Sequence, residues 1–264
     1  QKETKMAGKS GREGERTEKK RRAAGAAAGP CAGETVSARP GLTGTQLKMI
    51  AMVSMFIDHS AISLVSPAFG LGQQFYGLYL AMRAVGRLAF PIYGFLLVEG
   101  FLHTKNRRRY LSRLIFFAVI SEIPFDLVAF GRMSAIDGQN VFFTLAIALG
   151  VMWLLERYGK GKLLCAAITA AGGMAAFWLR ADYGFLGVLY VTLLYLFRWN
   201  REFRRLGQTV MAVAIYPDAM CVPFLCSIPL TDRYNGLAGR RLGMWAYWFY
   251  PVHLSVLYAL SIWI

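Results

Sequence analysis

The first long apolar run of the chain occupies residues 46–66 and reads QLKMIAMVSMFIDHSAISLVS. A helix rises about 1.5 Å per residue, so a run of this length matches a bilayer hydrocarbon core of about 30 Å. In lipid, a helix pairs its own backbone groups, whereas irregular chain leaves them without hydrogen bonds. The run therefore predicts a membrane helix, and that helix carries three ionisable residues, Lys48, Asp58 and His59.

Apolar runs of similar length recur over the rest of the chain, and 56% of all residues are apolar. Soluble domains usually contain about 45–50% apolar residues. No strand-like alternation competes with this pattern, which predicts an all-α, polytopic membrane bundle of about eight transmembrane helices. The spans are expected near residues 46–66, 78–101, 110–130, 140–157, 162–180, 183–199, 206–228 and 244–264.

The charged residues are concentrated in a few segments. Thirty Lys and Arg oppose fifteen Asp and Glu, which gives a net charge of +15, yet only 17% of residues are charged. Residues 1–43 combine many cations with few large apolar side chains, so they predict a disordered basic tail, followed by a membrane domain at residues 44–264. Basic segments beside apolar spans are typical of cytoplasmic loops and not of nucleic-acid binding.

The basic segments also alternate along the chain with breaks that are poor in cations. They are the tail, the loop 105–109, the turn 157–162 and the link 198–205. The positive-inside rule therefore predicts a cytoplasmic amino terminus. Three arginines between residues 233 and 241 disagree, because eight ordered spans put them outside. Either they serve a site, or the segment around Pro217 and Pro223 is re-entrant and the last span is inverted.

Lys48 and His59 are eleven residues apart, close to three helical turns, so they share one helix face and lie roughly 16 Å apart along the axis. This geometry suits an elongated ligand with an anionic head and a reactive tip, such as an acyl-CoA. A neutral imidazole is a good general base at neutral pH. The alternative is chance, since any helix has some residue eleven positions further on.

Other ionisable residues lie within the predicted spans, where charge is costly and commonly marks function. Pairs among them could instead only hold helices together. His253 follows Pro251, which weakens the helix around it, so this histidine is either a second catalytic group or a hydrogen-bonded core residue. The full set is Asp58, His59, Arg83, Arg87, Glu99, Arg113, Glu122, Asp126, Asp218 and His253.

The segment 103–113 adds cations on the same side as Lys48. Guanidinium groups match phosphate oxygens in pairs, so these residues are candidates for binding the head of a nucleotide. The positive-inside bias is the ordinary explanation for at least some of them. The cations are Lys105, Arg107, Arg108, Arg109 and Arg113.

Together these motifs resemble the TraX family of bacterial membrane proteins, typified by the conjugal-transfer pilin N-acetylase. The resemblance covers nearly everything after residue 45, and residues 1–43 fall outside it. Lys48 and His59 are also similar to the basic-residue, ten-position, histidine motif of the acyltransferase-3 family. The matching stretches are LKMIA 47–51, MFIDH 55–59, GRLAFPIY 86–93, VEGF 98–101, HTKN 103–106, RYLSR 109–113, SEIPFD 121–126, NVFFT 140–144, YNG 234–236 and YPVHL 250–254.

The resemblance implies a multi-pass enzyme of the bacterial cytoplasmic membrane that uses acetyl-CoA as acyl donor and no metal. Its acceptor is the amino terminus of a pilin-like peptide or another amine or hydroxyl; its other partner is the lipid bilayer, and no nucleic acid is expected. His59 is the expected base. Asp58 points about 100° away around the helix, so it pairs with an arginine such as Arg87. The remaining candidates are Arg87 or Arg113 for the oxyanion, His253 as a further catalytic group, and Lys48, Lys105, Arg109 and Arg113 for acetyl-CoA.

Two other function classes remain open. A proton-coupled exporter or flippase would relay protons through Asp58, His59, Glu122 and Asp218, although the paired interrupted repeats of many transporters are not evident. A non-catalytic assembly protein is the third possibility, for which so many buried charges are an unexpected cost.

Overall fold

The computed structural model describes residues 40–66, 75–133 and 137–263. These residues form helices and no strand; the only β-type pairings among them are two isolated bridges. Residues 1–39 of the predicted tail lie outside the described residues. The helices are α1 Gly44–Ser60, α2 Tyr76–Gly86, α3 Ala89–His103, α4 Arg107–Phe130, α5 Val141–Tyr158, α6 Lys162–Trp178, α7 Gly184–Leu196, α8 Arg201–Ile215, α9 Cys221–Leu225, α10 Ser227–Asp232 and α11 Trp245–Ser261, and a π-helical turn, Ala61–Val65, extends α1.

The all-α prediction is confirmed, but the prediction of about eight membrane spans is wrong. Three helical segments of the described chain are long and apolar enough to cross a membrane: Gly44–Val65, Tyr76–His103 and Val141–Tyr158. Helices α6 and α7 are apolar but shorter. Helix α4 is long, yet it carries six charged side chains. The predicted span 206–228 contains the end of α8, a turn, all of α9 and the start of α10, which a hydropathy window averages together.

Helix α1 begins at a capping box. The Thr43 hydroxyl accepts the backbone N–H of Gln46, and the Gln46 side chain accepts the backbone N–H of Thr43. These two bonds satisfy groups that a helix start leaves unpaired. The helix then runs without a break past both Lys48 and His59, so the three-turn spacing expected from the sequence is present in the structure.

Helix α11 packs between α1 and α4, and α1 also packs against α2 and α3. The carboxyl-terminal helix is therefore a direct neighbour of the first helix, although about 200 residues separate them along the chain. The core between them is apolar and includes Leu47, Phe117, Tyr250 and Leu254, all at most 2% exposed. This arrangement brings the histidine of α11 to the histidine of α1.

The segment Tyr76–His103 is interrupted at Arg87 and Leu88. Pro91 has no backbone N–H, so it cannot bond to the carbonyl of Arg87 and the helical ladder is broken there. The Ser54 hydroxyl of α1 donates to the Val85 carbonyl at 2.7 Å and helps to satisfy the exposed end of α2. The break fixes Arg83 and Arg87 next to the carboxyl end of α1.

The three arginines that contradicted the orientation rule lie at the amino end of α1. The Leu42 N–H donates to the Arg233 carbonyl at 2.8 Å, and the Thr45 hydroxyl donates to the Ala238 carbonyl at 2.9 Å. Arg204 and Arg205 of α8 bind Asp232 at the end of α10, so residues 221–232 return to the end where α8 began. Residues 233–241 therefore lie beside the amino end of α1, and α11 starts from the same end of the bundle as α1.

We call this end of the bundle the basic face; it comprises the amino ends of α1, α4 and α11 and the loops beside them. Two strongly exposed tryptophans, Trp199 and Trp245, lie at this face, whereas Trp178 and Trp263 lie at the opposite end of the bundle. Tryptophans at both ends of an apolar bundle are typical of the two interfaces of a membrane. The distribution therefore supports the membrane association that the apolar helices indicate.

Candidate functional site

Two histidines meet where the last turn of α1 packs against α11. His59 Nδ1 lies 2.7 Å from His253 Nε2, and the two rings are stacked with centroids 5.0 Å apart. His253 is buried, and its Nδ1 lies 2.7 Å from the backbone carbonyl of Phe249. The sequence predicted both residues separately, and the structure joins them into one group.

The hydrogen bonds of this pair determine where the protons lie when both imidazoles are neutral. A carbonyl oxygen only accepts, so His253 Nδ1 must carry the proton that it donates to Phe249. His253 Nε2 is then unprotonated and accepts from His59 Nδ1–H. The remaining ring nitrogen, His59 Nε2, therefore has a free lone pair. A carbonyl and a second histidine thus orient His59 as a base, in the way that an acceptor fixes the tautomer of other catalytic histidines.

A cavity of about 430 Å³ opens beside this pair, between α1, α3, α4, α5 and α11. Lys48 and His103 lie at the basic face, whereas Met55 and Tyr250 lie at the inner end. Met55 is one turn before His59 on α1, and the Tyr250 ring lies edge-on to His59 at 5.8 Å. His59 itself is not part of the cavity wall. Two wall residues connect it to the cavity: Tyr250 contacts the His59 ring, and Met55 lies one helical turn before His59.

The walls are apolar in the middle and carry charge towards the basic face. This is the usual composition of a pocket for an organic molecule with a polar end. The lining residues are Gly44, Lys48, Met55, Tyr93, Leu96, Leu97, Glu99, Gly100, His103, Thr104, Tyr110, Arg113, Leu114, Val141, Phe142, Leu145, Tyr234, Gly236, Ala238, Ala246, Tyr247 and Tyr250.

Only two of the four cations predicted to hold acetyl-CoA line the cavity. Lys48 and Arg113 do so, and the Arg113 guanidinium lies 5.8 Å from the ring centres of both Tyr110 and Tyr247. Lys105 and Arg109 are exposed and are not part of the cavity wall. Residue 105 directly follows the wall residue Thr104 at the mouth, so its charge lies close to the entrance but not within it.

The second group of predicted residues lies beyond the histidines, away from the cavity. Asp58 accepts a hydrogen bond from Arg83 at 2.6 Å, so its partner is Arg83 and not Arg87. The Arg87 guanidinium instead donates to the Tyr216 hydroxyl at 2.8 Å and lies over the Tyr216 ring. Neither Asp58 nor Arg87 lines the cavity. Their positions give no support for direct contact with a ligand bound there.

The sequence interpretation missed Tyr250, which lines the inner end of the cavity and contacts both histidines. One signal for it was available, since Tyr250 precedes His253 by three residues and so shares its helix face.

Comparison with known proteins gives a consistent picture. A family model described as TraX protein matches residues 43–261. The chain is also 31% identical over 237 residues to a protein of Dichelobacter nodosus named "Probable fimbrial assembly protein FimC, serogroup H1", covering 80% of this chain and 93% of that one. No solved structure matches the chain. The family model spans nearly all of the described residues and begins at the capping residue of α1, and we conclude that the chain belongs to the TraX protein family.

Proposed function

We propose that this protein is a membrane acyltransferase that transfers an acetyl group from acetyl-CoA to an amine or hydroxyl acceptor. The proposal rests on two hydrogen bonds in series, from His59 to His253 and from His253 to the carbonyl of Phe249, which we call the relay. The relay leaves an unprotonated nitrogen on His59, beside an elongated cavity. Lys48 at the mouth supplies a cation for phosphates, and the apolar walls suit the arm that carries the thioester. Of the acidic residues that the transporter alternative requires, none lines this cavity.

In the proposed reaction, the acceptor attacks the carbonyl carbon of the thioester. His59 Nε2 takes the proton from the acceptor, and His253 stabilises the resulting imidazolium through the existing hydrogen bond. The carbonyl electrons move to the oxygen and return when the intermediate collapses, which breaks the carbon–sulfur bond. His59 then gives its proton to the CoA thiolate. Acetyl-CoA and acceptor–H thereby become acetyl–acceptor and CoA with a free thiol.

The basic face is proposed to be cytoplasmic, in the cytoplasmic membrane of a bacterium, because it gathers the cationic loops. Acetyl-CoA would then enter from the cytoplasm, where a bilayer confines so charged a molecule. The acceptor is proposed to be a pilin-like peptide, in keeping with the fimbrial assembly named for the Dichelobacter nodosus relative.

The direct test is to incubate the purified full chain in lipid nanodiscs with acetyl-CoA labelled in the acetyl group, with and without a pilin-like peptide. We expect labelled peptide and free CoA in equal amounts. Absence of both products, with intact folding shown by size-exclusion chromatography, contradicts the proposal.

A non-catalytic role in fimbrial assembly is the second candidate, because the name of the relative refers to fimbrial assembly and to no reaction. Under this alternative the protein binds its partner without consuming acetyl-CoA. Fimbriation that is lost in a deletion strain and restored by a variant without acetyl transfer supports this alternative. Fimbriation that requires transfer supports the enzyme.

Replacing Lys48 with alanine is expected to raise the KM for acetyl-CoA roughly tenfold and to change kcat much less, because a cation on the nucleotide binds ground state and transition state alike. Initial rates against donor concentration measure both constants. The matched control is Lys160→Ala, which removes an exposed cation outside the cavity wall. The effect of Lys48→Ala should disappear with S-acetylpantetheine, which lacks the nucleotide, and an equal loss with both donors contradicts phosphate binding.

A further inference from the structure

Among the residues that the structure describes, none accepts a hydrogen bond from the hydroxyl of Tyr250. The residue is 2% exposed, and its oxygen has no hydrogen-bond partner of ordinary geometry among the described residues. Asp58, Glu122 and Asp182 lie within electrostatic range, but none accepts its hydrogen, and the nearby backbone N–H of Val141 can only donate. Burying a hydroxyl without a hydrogen bond costs free energy, and such a group in a native protein calls for an explanation.

The position of this tyrosine at the inner end of the cavity supplies that explanation. Its ring centre lies 5.8 Å from that of His59 and 5.6 Å from that of His253, and the residue lines the cavity. A molecule that fills the cavity from the basic face therefore ends beside Tyr250 and next to the histidine pair. The Tyr250 ring lines this end of the cavity and contacts both histidines, and its hydroxyl oxygen is buried.

The two arginines considered for the oxyanion are less well placed. Arg87 is engaged with Tyr216 and is not part of the cavity wall. Arg113 does line the cavity, but its guanidinium donates to the Arg109 carbonyl at 3.2 Å, within the first two turns of α4 and towards the basic face. It lies over Tyr247, one turn before Tyr250 on α11. Arg113 thus suits the body of the donor molecule, and Tyr250 suits its reactive end.

We propose that Tyr250 is a catalytic residue whose hydroxyl donates a hydrogen bond to the carbonyl oxygen of the acyl group. This inference rests on the proposed acetyl transfer. When the acceptor attacks the carbonyl carbon, the carbonyl electrons move to the oxygen, and the phenol hydrogen bond stabilises that negative charge without giving up its proton. When the carbon–sulfur bond breaks and the carbonyl re-forms, the hydrogen bond weakens again.

The test compares wild type with Tyr250→Phe, which deletes only the hydroxyl. Loss of one oxyanion donor lowers kcat by roughly 100- to 1,000-fold in well-studied enzymes, and we expect a loss of that order with the KM for acetyl-CoA within about threefold of wild type. Tyr258→Phe is the matched control, because it makes the same deletion on α11 outside the cavity wall. It should retain full activity.

A binding measurement separates catalysis from structure. S-ethyl-CoA is a thioether without the carbonyl oxygen, so wild type and Tyr250→Phe should bind it with equal affinity. Incorporation of 3-fluorotyrosine at position 250, which retains a hydroxyl, should restore transfer.

Two results overturn the inference while leaving acetyl transfer intact. One is a kcat for Tyr250→Phe within about threefold of wild type. The other is a loss of S-ethyl-CoA affinity as large as the loss of rate, which would make Tyr250 a structural residue. If wild type itself transfers no acetyl group, the proposed function fails and this inference fails with it.

Discussion

Replacing His59 with alanine is expected to lower acetyl transfer at least roughly 100-fold, the scale of a lost general base, without preventing folding or membrane insertion. The imidazole accepts the proton of the acceptor, and no other described side chain has an unprotonated nitrogen held in this position by the relay. Single-turnover transfer from labelled acetyl-CoA measures the effect. Normal turnover in His59→Ala contradicts the assignment of the base.

Two further variants show whether the histidines act as a unit. His253→Ala removes the acceptor that orients His59, so it should also slow transfer, and the double variant should be no slower than His59→Ala alone, because residues of one catalytic unit are not additive. His103→Ala is the histidine control: its side chain is 71% exposed at the mouth of the cavity, and the expected loss is less than about threefold. If the loss of transfer rate in the double variant equals the combined losses of the two single variants, His59 and His253 do not act as one catalytic unit.

Gly86→Ala is expected to destabilise the bundle by about 3 kcal/mol or more, because a methyl group at this position overlaps the side chain of Asp58. Relieving that overlap moves α2 from α1 and separates Asp58 from Arg83, which leaves two largely buried charges without their partners. Thermal unfolding in one defined detergent gives the comparison, read as a fall in Tm.

Gly77→Ala is the matched control on the same helix. A methyl group added at residue 77 meets no atom within 4 Å among the described residues. Alanine also favours helix over glycine by about 1 kcal/mol, so this variant should be neutral or slightly more stable. If Gly86→Ala unfolds at the same temperature as Gly77→Ala, the close contact between α1 and α2 is not important for stability.

The amino-acid sequence by itself determined the features that depend only on residues close together along the chain. Apolar composition predicted the helical, membrane-associated class, and Thr43 with Gln46 fixes where α1 begins. Because a helix has a regular rise, the eleven-residue spacing by itself places Lys48 and His59 on one face. The stretches that resemble the TraX family likewise predicted the family, which the comparison confirms.

The number of membrane spans was not predictable from averaged hydropathy. The mean hydropathy over a sliding window detects neither the helix break near Pro91 nor the turn between α8 and α9. Breaks of this kind arise from single missing backbone donors and from packing, which average composition does not record. For the same reason, the sequence could not decide whether Arg233 lies at the same end of the bundle as the amino end of α1 or at the opposite end.

Only the tertiary structure decided the partners of the site residues. His59 meets His253 across 194 residues because α11 packs against α1, and Asp58 meets Arg83 because Gly86 allows close approach. The Tyr250 hydroxyl has no hydrogen-bond partner within the described part of the chain. Local periodicity determines which face of its own helix a side chain occupies. Which helices become neighbours depends on how their apolar surfaces fit together, and that is a property of the whole bundle.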